Sequence, residues 1–361
     1  MTDTATVKKL ERMALQLRFD LLDILGVGKV GHLGGSSSMA EIAACLYFHA
    51  MRFDPKNLKN PDRDRFLLSK GHCVLIQYAA LAELGVIPRS ELKKVKTLEG
   101  CLQGHPDMDR TPGIEAVTGS LGMGLSIGLG MALGFRLDRR PSRVYVVMGD
   151  GELSEGQIWE AAMAAAAFKV DNLTGFVDLN RIQATGPTRE ILDIPDIARK
   201  WAAFGWEVVG IDGHDVGQIL AALDQAQHTK GRPTVIVAET VKGKGFSFAE
   251  NNAAFHNGAL TADQYRQALS ELEARRASLK RLMDLGIVVI ATFALGWDDH
   301  DESVFDRTLE FCLKAGLQVP EFIINTPFPG SRLFKKYESE NRILSRDWGK
   351  YNGNHAVFQP A

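Results

Sequence analysis

Gly149-Asp150-Gly151-Glu152 closes one short apolar run, and Asn180 closes the next. A carboxylate, an amide oxygen and a nearby main-chain carbonyl are hard oxygen donors. Joined by phosphate oxygens and water, they complete the octahedron that Mg2+ demands. The glycines on either side of Asp150 let the chain turn sharply and bring backbone N–H groups against an anion. One strand–helix–strand unit separates Asp150 from Asn180, so both side chains should leave the same edge of a sheet. Taken alone, these residues equally suit a tight turn and a capping Asn, because short motifs match often by chance.

The surrounding elements must supply that edge. Residues 143–148 read as a β-rich strand, 157–168 as an alanine-rich helix and 173–179 as the next strand. Segments 206–211 and 234–239 add two strands, with a helix over 216–228 between them. The alternation predicts an α/β fold, a parallel sheet with helices on both faces. Ligands of such sheets bind beyond the carboxyl ends of the strands, which points to residues 149–155, 180–187, 212–215 and 240–247. Upstream, 8–24 has the spacing of an amphipathic helix. A Gly/Ser-rich loop follows at 31–38, a helix starts at Met39, and 65–69 is a short strand entering a turn at Gly71-His72. Glycines recur at 119, 122, 124, 128, 130 and 134. Each costs a helix about 1 kcal/mol relative to alanine, so something must approach this backbone closely. His214 is expected to cap the helix that Asp215 begins. His49, His228, His300 and His355 read as surface or packing residues.

Composition narrows the classes. A formal net charge of −2, with no basic block, argues against a nucleic-acid partner. The apolar runs, such as 144–148 and 287–295, are too short to span a bilayer, and the polar first residues do not resemble a signal peptide. Cys45, Cys73, Cys101 and Cys312 have no metal-ligand or disulfide-framework spacing. A reducing, cytoplasmic setting is the simple expectation.

Gly149-Asp150-Gly151 followed by Asp178-Leu179-Asn180-Arg181-Ile182 resembles the thiamine-diphosphate-binding motif of transketolases. Further blocks stand in that family's order: Lys29-Val30-Gly31-His32, Ser69-Lys70-Gly71-His72, Gln103-Gly104-His105-Pro106, Thr118-Gly119-Ser120-Leu121-Gly122 and Phe255-His256-Asn257-Gly258. The chain most resembles the separately encoded N-terminal subunit of split transketolases. The resemblance implies Asp150, Asn180 and the carbonyl of Ile182 as ligands of Mg2+ (or Ca2+). It implies that His72, Gly119, Ser120, Leu121, Gly151, Asn180 and His256 line thiamine diphosphate. His32, His105 and His256 would face the substrate, where imidazoles exchange protons with sugar hydroxyls and carbonyls. Glu155 and Glu160 read as solvated helix charges or, by resemblance, as groups at a subunit interface.

The resemblance also implies a missing half. The carboxylate that activates the cofactor's aminopyrimidine belongs to a second domain that this sequence lacks. A pyrimidine-domain transketolase subunit is therefore the expected partner, in a homodimer or heterotetramer acting on a sugar phosphate. The rivals are a deoxyxylulose-phosphate-synthase-like ketol transferase and an inactive fusion product. The organisation expected is 1–276, the thiamine-diphosphate-binding domain, followed by 277–361. There, Gly286-Ile287-Val288-Val289, Phe293-Ala294-Leu295-Gly296-Trp297, Thr326-Pro327-Phe328-Pro329-Gly330-Ser331 and Arg346-Asp347-Trp348 resemble the C-terminal end of a cobalamin-type radical S-adenosylmethionine enzyme. That family's three-cysteine cluster motif is absent. The expected elements, a helix over 262–285, a strand over 287–295, a helix over 302–315 and a strand over 322–326, make a small βαβα piece that cannot close a (β/α)8 barrel. The tail reads as a non-catalytic fragment.

Overall fold

Val-Tyr-Val-Val-Met at the centre of the chain is β-branched and apolar on both faces, as suits a strand covered on two sides. In a computed structural model it forms the interior of a five-stranded parallel sheet. The structure describes residues 4–276 and, beyond them, 290–295, 304–306, 308–309, 319–329, 331–351 and 356–359. The chain divides into two compact units, Met1–Arg276 and Ala277–Ala361.

In the first unit the strands are β1 (Arg65–Leu68), β2 (Val144–Gly149), β3 (Leu173–Leu179), β4 (Ile182–Gln183), β5 (Gly186–Pro187), β6 (Glu207–Asp212) and β7 (Thr234–Glu239). The large sheet has the order β1-β2-β3-β7-β6, and β4 with β5 makes a two-residue antiparallel hairpin. Its register puts Leu68 beside Val147, Gly149 beside Asp178 and Leu179 beside Glu239. Ser69, Asp150, Asn180 and Thr240 therefore all leave the sheet at one carboxyl edge.

The helices are α1 (Thr4–Leu25), α2 (Leu33–Ser37), α3 (Ala40–Cys45), α4 (Leu75–Glu83), α5 (Met123–Leu137), α6 (Gly156–Ala167), α7 (Thr188–Ile191), α8 (Ile197–Ala203), α9 (Val216–His228) and α10 (Ala262–Arg276). Alternate strand residues feed two cores, as the period of two requires. Phe66, Leu68, Tyr145, Val147, Phe176 and Ile236 meet α1, α3, α4 and α9. Leu67, Val144, Val146, Met148 and Val177 meet α5, α6 and α8. Helix α6 shows why the pattern was legible: Ile158, Ala161, Ala162 and Ala165 fall on one helical face and are buried.

The glycines of α5 have a packing cause. A Cβ on Gly124 would stand 2.4 Å from Ser69 Oγ, and one on Gly128 2.5 Å from Val146 Cγ2. What approaches the backbone at these two positions is the sheet itself. Gly130 and Gly134 meet nothing within 4 Å.

Three expectations need correction. Residues 33–37 are a helical turn, not loop: Ser37 Oγ donates to Leu33 O at 2.9 Å, and a Cβ on Gly35 would meet Cys73 Sγ at 2.5 Å. The hairpin and helices between 182 and 203 were not anticipated, since two-residue strands and short helices carry no periodicity. His214 does not cap α9; Asp215 does so alone, accepting from Gln218 N at 3.0 Å.

In the second unit, β8 (Ile290–Leu295) pairs in parallel with β9 (Val319–Ile324). The latter begins earlier than 322 and ends before Thr326. Helix α11 (Arg332–Ser339) is capped by Ser331 Oγ, which accepts from Phe334 N at 3.0 Å. A small aromatic core, with Tyr337 and Phe358 stacked at 4.5 Å, holds this end together. Helical backbone is present at 304–306 and 308–309. The expected segments 277–285 and 287–289, the rest of 302–315, and Cys312, His300 and His355 lie outside the described residues. Among the described residues no helix is long and apolar enough to cross a membrane.

Candidate functional site

The carboxyl edge converges on Asp178, which is fully buried at the end of β3. Its carboxylate accepts from Lys70 Nζ, Thr240 Oγ1, Ser38 Oγ at 2.6 Å and Asn180 Nδ2 at 3.1 Å. Burial opposes its ionisation, but Lys70 and these donors hold the carboxyl below the usual range. One residue thus ties together the turns after β1, β3 and β7.

Asp150 differs. It is buried at 5% exposure, and its oxygens accept from Gly151 N at 2.9 Å and Arg181 N at 2.6 Å. Among the described residues no cationic side chain hydrogen-bonds to it. Burial, then the nearby Asp178 carboxylate, pushes its pKa up to about 6. Arg181 takes a left-handed φ of 63°, which turns the chain back so that its N–H reaches Asp150. Asn180 Oδ1 accepts from Ile182 N at 3.1 Å, and Ile182 O accepts from Lys242 Nζ at 3.0 Å. A buried carboxylate without a cationic partner, beside an amide and a carbonyl oxygen, has the donor chemistry for a hard divalent cation. Among the described residues no cluster of three or more His, Cys, Asp or Glu suits a metal; two of these three donors are of other types. The residues present therefore fit the cation.

Four histidines gather beside this set. His32 lies 5.0 Å from His72, 5.6 Å from His256 and 6.4 Å from His105, ring centre to ring centre, and His72 stacks on His256 at 4.9 Å. Local backbone places each one. An antiparallel bridge between Gly31 and Gly258 sets His32 against His256. Gly71 allows the turn bearing His72 to touch Thr118, where a Cβ would come within 2.7 Å of backbone. Gly119, at φ 145°, admits His105, whose Cδ2 would be 2.9 Å from a Cβ there. Burial, then neighbouring His72 and His256, lowers the pKa of His32 to about 3. Burial and Lys242 lower His256 to about 3. Burial and Lys70 lower His72 to about 4. His105 is lowered by burial and then His72. All four are neutral at physiological pH, each with one donor and one acceptor nitrogen.

Two residues to which the sequence reading gave no role complete the arrangement. Lys242 is 2% exposed and joins the halves, with Nζ 3.0 Å from Ile182 O and 3.0 Å from His256 Nδ1. It falls within 240–247, beyond the end of β7, but belongs to no motif read there. Glu152 is also buried. It accepts from Gly122 N at 2.8 Å, Gly149 N at 3.1 Å and Ser69 Oγ, locking the turn before α5 to two strand ends. Ser120, exposed, and Leu121, half-buried, lie on that turn. Glu155 and Glu160 are exposed. A cleft of about 1280 Å3 opens over Asp150, Gly151, Asn180, Ile182 and Val241, but none of the four histidines lines it.

A parallel sheet with oxygen donors and imidazoles gathered at its carboxyl edge is the geometry of an α/β ligand-binding domain. Residues 10–278 match the family described as "Transketolase, thiamine diphosphate binding domain", and the chain belongs to it. It is 45% identical over 268 residues to the 6-deoxy-6-sulfo-D-fructose transketolase subunit SqwG of Clostridium sp. (strain MSTE9), covering 74% of this chain and 98% of that one. It is 39% identical over 275 residues to an apulose-4-phosphate transketolase subunit of Phocaeicola vulgatus, covering 76% and 98%. Transketolase from Campylobacter jejuni superposes with a TM-score of 0.70 at 29% identity, covering 74% of this chain and 43% of that one. The chain thus spans nearly the whole of the separate subunits and under half of the solved transketolase.

The lowered pKa values have a direct readout. In 15N-resolved NMR spectra, His32, His72 and His256 stay neutral from pH 7 down to pH 5. A midpoint near 6.5 in any of them would contradict the burial argument.

Proposed function

We propose that this chain is the thiamine-diphosphate- and Mg2+-binding subunit of a two-subunit transketolase that moves a two-carbon ketol unit between sugar phosphates. The observation that carries this is the buried, cation-free Asp150 carboxylate beside Asn180 and the Ile182 carbonyl. These three hold the metal; His72, Gly119, Ser120, Leu121, Gly151, Asn180 and His256 line the cofactor. When bound, the cofactor supplies the carbanion chemistry that side chains cannot. His32, His105 and His256, kept neutral, orient the ketose and exchange protons with its hydroxyl and carbonyl oxygens. Lys242 adds positive charge between metal and imidazoles.

A pyrimidine-domain subunit supplies the carboxylate for the aminopyrimidine, in a homodimer of paired chains or a heterotetramer. The names of the two similar subunits widen the substrate class from phosphorylated to sulfonated ketoses. We place the protein in the cytoplasm, where free Cys45, Cys73 and Cys101 suit a reducing setting. Calorimetric titration of the chain with thiamine diphosphate tests the reading: heat appears with Mg2+ and disappears with a chelator. Binding unchanged by a chelator counts against it.

Residues 277–361 take no part in this chemistry on our reading; the family match ends at residue 278. The apolar sequences of β8 and β9 favour pairing with strands of other chains and lower the soluble yield. A chain ending at Arg276 keeps its cofactor affinity and thermal stability and is recovered in greater soluble yield. Unfolding of that chain, or loss of affinity, would show that the tail is integral to the fold.

A further inference from the structure

We propose that His214 is a positioning residue that fixes the turn presenting Lys242 to the site; this rests on the cofactor-binding reading above. The turn after β7 is gripped at both ends. His214 Nε2 accepts from Val241 N at 2.9 Å, and Arg18 Nε donates to Lys244 O at 2.9 Å. Glu41 joins the two grips. It receives His214 Nδ1 at 3.0 Å and both Arg18 terminal nitrogens at 2.6 and 2.8 Å. All three side chains are nearly shielded from water, with 12% exposure for His214 and Glu41 and 5% for Arg18.

The tautomer follows from the partners. A backbone N–H can only donate, so Nε2 must be bare and the proton must sit on Nδ1, facing the carboxylate. The buried Arg18 keeps that carboxylate ionised, and the carboxylate in turn keeps the imidazole oriented. Between the two gripped ends stands Lys242, whose ammonium reaches Ile182 O and His256. Gly243, at φ 79°, makes the turn possible, since a Cβ there would lie 2.2 Å from Ala249 O. Main-chain bonds from Gly243 N to Gly34 O at 2.9 Å and from Asn251 N to Lys242 O at 2.8 Å hold the middle of the turn. His214 fixes its first residue, Val241, although that ring touches neither of the groups that Lys242 touches.

Two amide replacements separate this role from simple support of the fold. In His214→Gln the side-chain oxygen reaches the place of Nε2 and still accepts from Val241 N. In His214→Asn the amide reaches only the place of Nδ1 and can serve Glu41 but not Val241. The full chain is titrated with thiamine diphosphate and Mg2+ by calorimetry, alongside thermal unfolding. His214→Gln keeps affinity within a few-fold and His214→Asn loses about tenfold, because Val241 N–H is left without an acceptor. Equal affinities, or loss confined to His214→Gln, overturn the proposal. Hydrogen exchange of the Val241 and Lys242 amides without cofactor gives a second readout, faster in His214→Asn and near native in His214→Gln. Were the native chain to bind no cofactor, the functional reading would fail, while exchange would still decide the role of His214.

Discussion

Asp150→Ala abolishes Mg2+-dependent binding of thiamine diphosphate, weakening it by more than ~100-fold, beyond the 10–100-fold typical of losing a group that merely supports a ligand. The native carboxylate is buried without a cationic hydrogen-bond partner, and two backbone N–H donors with the more distant Lys70 only partly offset the cost of its burial. Its rise from 3.8 to about 6 corresponds to roughly 3 kcal/mol against the charged form. For an acid whose folded pKa is raised, that penalty is absent below pH 3.8 and complete above about pH 6. Alanine removes the penalty but strands the N–H groups of Gly151 and Arg181, at about 1–3 kcal/mol each. The two effects oppose, so the cofactor-free variant melts near the native temperature at pH 7. Relative to the native chain it gains stability as pH rises from 4 to 6. Undiminished affinity in calorimetry would remove Asp150 from the metal site, and loss of affinity with loss of fold would leave it a structural residue.

Sequence periodicity made the sheet legible because β2 is a continuous apolar run, β3 is buried along nearly its whole length, and α6 and α9 bury regular faces. The shared carboxyl edge, where Asp150 and Asn180 leave the sheet, followed from that alternation. It did not reveal the network around Asp178, since contacts from Lys70, Ser38 and Thr240 span distant parts of the chain. Lys242 escaped for the same reason: a lysine in a Lys-Gly-Lys-Gly turn reads as solvated, and only the fold buries it. Glu152 stood inside the Gly-Asp-Gly-Glu motif, yet its partners at Gly122 and Ser69 come from other elements. His214 was read as a local cap because Asp215 follows it; its bonds run instead to Glu41 and Val241. Short elements such as α2 and the β4–β5 hairpin are set by tertiary contacts rather than by periodicity.

Ketol transfer, on the proposed reading, needs a second subunit. On our reading the chain supplies the metal's oxygen donors and the proton-exchanging imidazoles, and its partner supplies the carboxylate that activates the aminopyrimidine. On that reading this chain would hold the diphosphate end of the cofactor, and the carbanion chemistry the cofactor supplies would wait on the partner's carboxylate. A general acid or base contributes typically 10²–10⁴-fold, and positioning by an enclosing partner adds more, so the single chain stays at the background rate. The most direct test is a coupled ketol-transfer assay with thiamine diphosphate and Mg2+, run on this chain, on a separate pyrimidine-domain transketolase subunit, and on an equimolar mixture. Turnover is expected only in the mixture, and it is lost again when the chain carries Asp150→Ala. Robust turnover by the purified chain alone, or an active mixture indifferent to Asp150, would contradict the proposed reading.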